Sequence, residues 1–317
     1  MNSPADASTR LAYLGPEGTF TEHALLSQPD LAEMDLMPLE SIPGVLAATS
    51  GGTADMGFAA IENSIEGSVN VTLDTLAFET DLLIQREVVL DVELNLLARP
   101  GVGLHDIDTV LSYPVALAQC RNFLARELPK AQTQASKSSA GAALTIAEND
   151  VPRSAAIGTA LAAKVHGLDV LATHIEDHPE NQTRFVLVAP ERVPAQTGHD
   201  KTSIVVFQRA DVPGSLLSIL QEFAARAINL TRLESRPTKK ALGDYCFIID
   251  LEGHVDDEVV ADCLRELRSK QKDVKFLGSY PAAGDHLESA RRDTDAGWRR
   301  ADEWIANIRN LVQGDPG

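Results

Sequence analysis

The feature that most constrains this chain is the segment Ala189-Pro-Glu-Arg-Val-Pro-Ala-Gln-Thr-Gly-His-Asp200, which holds two prolines, a glycine and no apolar periodicity. Such a segment reads as a linker, so the chain divides there. We set the linker at 191–200, with a first unit over 10–190, a second over 201–281 and a tail over 282–317. A chain of 317 residues is long enough for this, since two cores or more fit within it.

The second unit has a compact pattern. Ile204 to Phe207 reads as a strand, and Pro213-Gly214 opens a helix with Leu216, Leu217, Leu220, Phe223 and Ala224 on one face. A strand from Ile228 to about Ser235, a turn near Lys239 to Gly243 and a strand from Tyr245 to Leu251 follow. A second helix carries Val259, Val260, Cys263, Leu264 and Leu267, and Val274 to Leu277 closes the unit. The order βαββαβ predicts a ferredoxin-like arrangement.

In the first unit short apolar strands alternate with alanine-rich helices, which predicts an α/β domain with a largely parallel sheet. The strands are Leu11 to Leu14, Met56 to Ile61, Val88 to Leu97, Val170 to Ile175 and Phe185 to Val188. One helix is predicted from Pro114 to about Glu127, with Leu117, Cys120, Phe123 and Leu124 on one face. In the tail, Trp298, Ala301, Ile305, Ile308 and Val312 have the steps of an amphipathic helix that packs onto the body.

Charge narrows the possible partners. The formal net charge is −18, concentrated as −15 over residues 1–199 and −3 over 200–317, which argues against nucleic acid and anionic membranes. An anionic substrate in the first unit must therefore be held by local donors against the overall field. Met1 to Arg10 is polar and shows no secretory signal, and no stretch has the length of a membrane span, so the cytoplasm is the expected location. The thiols Cys120, Cys246 and Cys263 read as reduced and buried.

Three motifs carry possible chemistry. In Leu14-Gly-Pro-Glu-Gly-Thr-Phe-Thr-Glu22, Thr19 and Glu22 have capping-box spacing after a strand. Helix N-termini beside glycine turns bind anions, though many such turns bind nothing. In Ala60-Ile-Glu-Asn-Ser-Ile-Glu-Gly-Ser-Val-Asn70, an acid, an amide and a hydroxyl stand at the carboxyl end of a strand. That is where open α/β sheets hold ligands, and equally where a polar loop caps the next helix. In Asn181-Gln-Thr-Arg-Phe185, the Arg184 fork matches a carboxylate, or else pairs on the surface with Glu176, Asp177 or Glu180. The eight histidines are scattered, and His174 and His178 sit in a loop-like Asp177-His178-Pro179 context, so no metal site is expected. No phosphate-binding loop, dinucleotide fingerprint or nucleophile elbow is present.

Taken in order, these pieces resemble the prephenate dehydratase family from about Leu11 to Pro281. The matching stretches are Tyr13 to Phe20, Ala60 to Ser68, Ser112-Tyr-Pro114 with Gln119-Cys120, Asn181 to Phe185, Pro213-Gly-Ser-Leu216, Ile228 to Thr231, Glu234-Ser-Arg-Pro237 and Leu277 to Pro281. The resemblance implies a two-lobed catalytic domain like type 2 periplasmic binding proteins, followed by an ACT domain that binds phenylalanine at a dimer interface. Three positions depart from the family pattern. Tyr113 stands in place of a usual histidine, Ser215 in place of a usual alanine, and Ala135 where some members carry a glutamate.

The resemblance also implies roles. Thr183 would donate to the departing hydroxyl of prephenate, Arg184 would hold a substrate carboxylate, and Glu62 is the candidate acid beside them if a closed cleft desolvates it. Thr19, Asn63, Ser64, Ser112, Gln119 and Phe185 would contact substrate. Pro213, Gly214, Ser215, Leu216, Asn229, Glu234, Ser235, Arg236 and Pro237 would serve the effector. No cofactor is expected, and a homodimer or homotetramer is. Three other readings stand beside this one: arogenate dehydratase, a solute receptor that shares the lobe fold, and an amino-acid-sensing regulator.

Overall fold

The computed structural model describes residues 9–148, 151–209, 212–239, 244–284, 304, 305 and 307–309. Most of the amphipathic helix expected in the tail, Trp298 included, lies outside the described residues.

The first lobe is built from β1 (Arg10–Leu14), α1 (Phe20–Leu26), α2 (Pro29–Ala32), β2 (Asp35–Leu39), α3 (Ile42–Ser50), β3 (Met56–Asn63), β4 (Gly67–Ser68), α4 (Asn70–Asp74), a π-helical turn at Thr75–Glu79, and β5 (Leu83–Asp91). The second holds β6 (Asn95–Ala98), a 3-10 turn at Leu104–Asp106, β7 (Thr109–Ser112), α5 (Pro114–Ala118), α6 (Arg121–Glu127), β8 (Gln132–Ala135), α7 (Ser139–Glu148), β9 (Ser154–Gly158), α8 (Ala160–His166) and β10 (Asp169–Ala172). β11 (Gln182–Ala189) then returns to the first lobe, where the sheet order is β2-β1-β3-β11-β5 with β4 beside β3. The second lobe orders its strands β10-β6-β9-β7-β8. The chain thus crosses between lobes twice, at 92–94 and at 173–181. Neither sheet is the largely parallel one expected: in the first lobe the returning β11 runs antiparallel to β3 and β5, and in the second β6 runs antiparallel to β9 and β10 while β7 runs parallel to β8 and β9.

This topology corrects two further expectations. The apolar run from Val88 to Leu97 is two strands, β5 and β6, with the first crossover between them. Periodicity cannot reveal that break, because the run stays apolar while it changes lobes. The helix expected over Pro114 to Glu127 is likewise two, α5 and α6, parted at Gln119 and Cys120. There the chain bends toward the second crossover, and Gln119 O accepts the Asp177 amide at 2.6 Å.

Beyond the linker come β12 (Asp200–Phe207), α9 (Ser215–Ala224), β13 (Leu230–Pro237), β14 (Tyr245–Glu252), α10 (Glu258–Lys270) and β15 (Asp273–Pro281), in an antiparallel sheet ordered β13-β14-β12-β15. The helices cover one face, packing Ile219, Phe223, Val260, Cys263 and Leu267 onto Ile204, Val206 and Ile249. The opposite face is not free. Val205, Cys246, Ile248, Leu277 and Tyr280 share one core with Leu46, Ile61, Leu73, Leu76, Ile84, Val186 and Val188 of the first lobe. The linker is tied down as well: Arg192 O accepts from Gln85 and Pro194 O bonds the buried His254 ring.

Gly278, with φ +138°, marks how closely the two bodies meet, since a Cβ there would lie 2.5 Å from the Ile84 carbonyl oxygen and 2.9 Å from its nitrogen. Only glycine allows that approach in that conformation. Gly278→Ala is therefore expected to cost about 1–3 kcal/mol, read as a lower urea midpoint of the full chain. An unchanged midpoint would show that β15 does not rest on β5 as described.

Candidate active site

β11 organises the site because it borders both crossovers. Its residues alternate between the two faces of the sheet. Thr183 pairs with Asn63 on one face, and Arg184 meets Glu62 on the other. Asn63 closes a turn, its Oδ1 accepting the amides of Ile65 at 3.0 Å and Glu66 at 2.9 Å. With the oxygen so placed, the Asn63 amide nitrogen must face the other way. It donates to Thr183 Oγ1 at 2.9 Å, Asn181 Oδ1 at 2.8 Å and Gln182 O at 3.1 Å. Ser64 Oγ accepts the Gln182 amide at 2.9 Å, and Ser64 N donates to Gln182 O at 2.8 Å. From the second lobe, Gln119 Oε1 accepts Asn181 Nδ2 at 3.1 Å. Thr183, Asn63, Ser64 and Gln119 are thus gathered where the lobes meet. The lobes also touch at Gly18, whose carbonyl accepts Thr159 Oγ1 at 2.8 Å and whose missing Cβ would strike Ala162.

Other candidates are placed differently. Arg184, expected to clamp a substrate carboxylate, has its guanidinium held by Glu62 at 3.1 Å, Glu87 at 3.1 Å and Asp250 at 2.6 Å, away from Thr183. Glu62, expected as an acid beside Thr183, is that arginine's partner instead. The strand expected from sequence begins at Phe185, whereas β11 begins at Gln182, and its alternation turns the neighbours Thr183 and Arg184 to opposite faces. Phe185, expected to contact substrate, is 1% exposed and stacked on Phe58 at 5.4 Å. Ser112 is fully buried, donating to Ile157 O at 2.7 Å and hydrogen-bonded to Ser139 Oγ at 3.1 Å, so it braces the start of α7. Thr19 caps α1, accepting from Glu22 N at 3.2 Å and donating to Leu14 O at 3.1 Å. The residue given no role from sequence is Asn181, although it heads the Asn181 to Phe185 motif and is 1% exposed.

Two of the carboxylates around Arg184, Glu87 and Asp250, are buried. Burial alone would raise Asp250, yet the Arg184 and Arg232 guanidinium groups and the Ser203 hydroxyl hold its carboxyl below the usual carboxylate range. Glu87 also accepts Lys201 Nζ at 2.7 Å, and Ser203 Oγ bonds Tyr280 Oη at 2.7 Å.

The effector candidates divide into three places. Pro213 and Gly214, exposed, precede α9, where Ser215 donates to Gln208 Oε1 at 3.2 Å and Leu216 packs on the domain's own core. Asn229 stands beyond the far end of α9, donating to Glu252 Oε1 at 2.7 Å. Within the third place, β13, Glu234 and Arg236 face the catalytic domain, while Ser235 and Pro237 are exposed between and beyond them. Glu234 accepts from Ser68, and Arg236 donates to Asp74 Oδ1 at 2.5 Å and Asn70 Oδ1 at 2.7 Å.

The Prephenate dehydratase family model matches residues 11–193, and that of the ACT domain matches 202–269. The chain belongs to the prephenate dehydratase family. A prephenate dehydratase of Mycobacterium leprae (strain Br4923) is 45% identical over 310 residues, which cover 95% of this chain and 94% of that protein. The solved prephenate dehydratase of Arthrobacter aurescens, described in complex with L-Phe, superposes with a TM-score of 0.85 at 40% identity over 95% of this chain and all of that one. A solved structure described as GqqA, a novel type of quorum quenching acylase, is 28% identical with a TM-score of 0.77 over 86% of this chain and 98% of that one. Within this prephenate dehydratase family frame, the two-lobed and ferredoxin-like expectations are met. No helix among the described residues is long and apolar enough to cross a membrane.

The ion-pair set yields a stability prediction. Asp250→Asn leaves Arg184 buried with weaker compensation, and breaking such a pair costs about 3–5 kcal/mol. A carboxyl held low in the folded state adds stability that is fully present above its unfolded value, about 3.9, and is lost as pH falls through the folded one. Urea unfolding of Asp250→Asn beside its parent should show a gap at pH 7 that narrows below about pH 4. A gap independent of pH would rule out this origin.

Proposed function

We propose that the chain converts prephenate to phenylpyruvate, releasing carbon dioxide and water, under inhibition by phenylalanine. The observation that carries the reading is the Thr183 hydroxyl. Because Asn63 donates to its oxygen, the threonine proton is free to point at a bound ligand rather than at the protein. A group losing hydroxide needs such a donor. As the ring–carboxylate bond breaks, its electron pair enters the ring and the carbon–oxygen bond to the hydroxyl opens. Thr183 stabilises the departing oxygen by an oriented hydrogen bond, and solvent supplies the proton that completes water. Threonine is too weak an acid to give up its own proton outright, so it acts as donor and not as acid. Glu62 and Arg184, paired with each other, take no part at the reacting atoms.

The test is turnover of prephenate and arogenate, side by side, by the full chain. Prephenate is expected to be preferred, and Thr183→Val to lower kcat by about 10²–10³ with Thr183→Ser retaining much of it. Equal damage from both substitutions in folded protein would remove the hydroxyl from the mechanism.

Regulation follows from the second domain. α9 has ten residues and so is about 15 Å long, which separates Gly214 from Asn229 within one chain. A second copy, laid so that its Asn229 reaches Gly214, completes a pocket for an amino acid, and this supports a dimer as the binding unit. The A. aurescens relative's complex with L-Phe supports phenylalanine as the ligand. Arg236 then carries the signal, because its partners Asn70 and Asp74 lie just beyond the Asn63 turn. Phenylalanine need only favour one arrangement of β13 by about 1–3 kcal/mol to act. Arg236→Ala is expected to keep phenylalanine binding in calorimetry while losing most of that coupling, so inhibition fades. Full inhibition in the variant would exclude this route.

A further inference from the structure

The hinge holds a side chain that the proposed reaction has not used. Asn181 lies in the second crossover, its backbone oxygen accepting the amide of Val92 from the first crossover at 2.8 Å. Both strands that join the lobes therefore meet at this residue. Its side chain, 1% exposed, spans the same junction. Nδ2 donates to Gln119 Oε1 of the second lobe at 3.1 Å. Oδ1 accepts from Asn63 Nδ2 at 2.8 Å and from Ser64 Oγ at 3.4 Å, both of the first lobe. The same Asn63 nitrogen donates to Thr183 Oγ1 at 2.9 Å.

We propose that Asn181 is a positioning residue for the dehydration, one that ties closure of the lobes to the orientation of the Thr183 hydroxyl. The inference rests on the reading of Thr183 given above. Asn63 has two amide hydrogens, and its oxygen is already committed to the amides of Ile65 and Glu66. Thr183 takes one hydrogen, and Asn181 Oδ1 is the nearest acceptor for the other. Without that acceptor the second hydrogen turns toward Gln182 O at 3.1 Å or toward Thr183, and the amide plane rotates away from its present pose. Asn181 is held in turn by Gln119, which the second lobe supplies, so the chain Gln119–Asn181–Asn63–Thr183 is intact only while the lobes are together. A short amide fits this place because it offers a donor to one lobe and an acceptor to the other. Misplacing a catalytic group by about 1 Å can cost about 10²-fold in rate.

The experiment measures kcat and KM for prephenate in the full-length parent, Asn181→Ala, Asn63→Ala and the double variant, with folding checked by circular dichroism. Asn181→Ala is expected to lower kcat by about 10²-fold while KM changes little, because the residue does not touch substrate. The double variant is expected to be no slower than Asn63→Ala, since one side chain acts through the other. Losses that multiply, a loss confined to KM, or an unchanged kcat would each overturn the proposal. Should Asn181→Ala not fold, Asn181→Asp decides. Its carboxylate accepts from Asn63, and the Gln119 amide can turn to donate to it. Turnover is therefore expected to survive at neutral pH and to fall in acid along a limb that the parent lacks. Loss of turnover at every pH, or no acid limb, would overturn the proposal. A parent that fails to turn over prephenate overturns the underlying reading and this inference together, whereas an active parent with insensitive variants overturns the inference alone.

Discussion

A guanidinium removed from water must find compensating charge, and Arg184 finds it in three carboxylates drawn from two domains. Glu62 and Glu87 come from the first lobe, and Asp250 comes from the ACT domain. Glu87 and Asp250 are themselves buried, and they take further charge from Lys201 and Arg232. Lone charges in such a place would be strongly unfavourable, so Arg184 and the buried Glu87 and Asp250 depend on one another. Because the set straddles the boundary, the catalytic sheet and the regulatory sheet are not separable bodies on a tether. Their apolar faces form one core around the same contact, with Val186 and Val188 of β11 packed beside Val205 and Tyr280.

The strand that carries Arg184 toward the ACT domain also carries Thr183 toward the cleft. A displacement of β14, on which Asp250 sits, therefore reaches the Thr183 hydroxyl through a single residue of backbone. β13 gives a second connection, since Glu234 and Arg236 grip the segment that follows the Asn63 turn. The two routes converge on the Asn63–Thr183 hydrogen bond from opposite partners. An effector that reshapes the ACT sheet thus has mechanical access to both halves of that bond.

Much of the fold was legible before any coordinates. The βαββαβ pattern after the linker and the strand-helix alternation before it follow from periodicities of 2 and 3.6, which are local properties. The failures also have local reasons. β5 and β6 read as one strand because apolar character continues through the crossover, and α5 and α6 read as one helix because the break at Gln119 is imposed by a distant partner, Asp177. Asn181 went without a role for a similar reason: its partners Gln119 and Asn63 are 62 and 118 positions away.

The sequence alone determined which residue types stand at the head of β11, and once the strand is seen to begin at Gln182 its two-residue period places Thr183 and Arg184 on opposite faces. What it could not determine is what each face meets. Only the return of β11 into the first lobe, antiparallel between β3 and β5, turns Thr183 toward the hinge. Only the docking of the ACT sheet on the reverse side gives Arg184 its buried partner in Asp250. An arginine fork fits a substrate carboxylate and a protein carboxylate equally well, so its chemistry was legible in the chain, while its partner was decided by the packing of two domains.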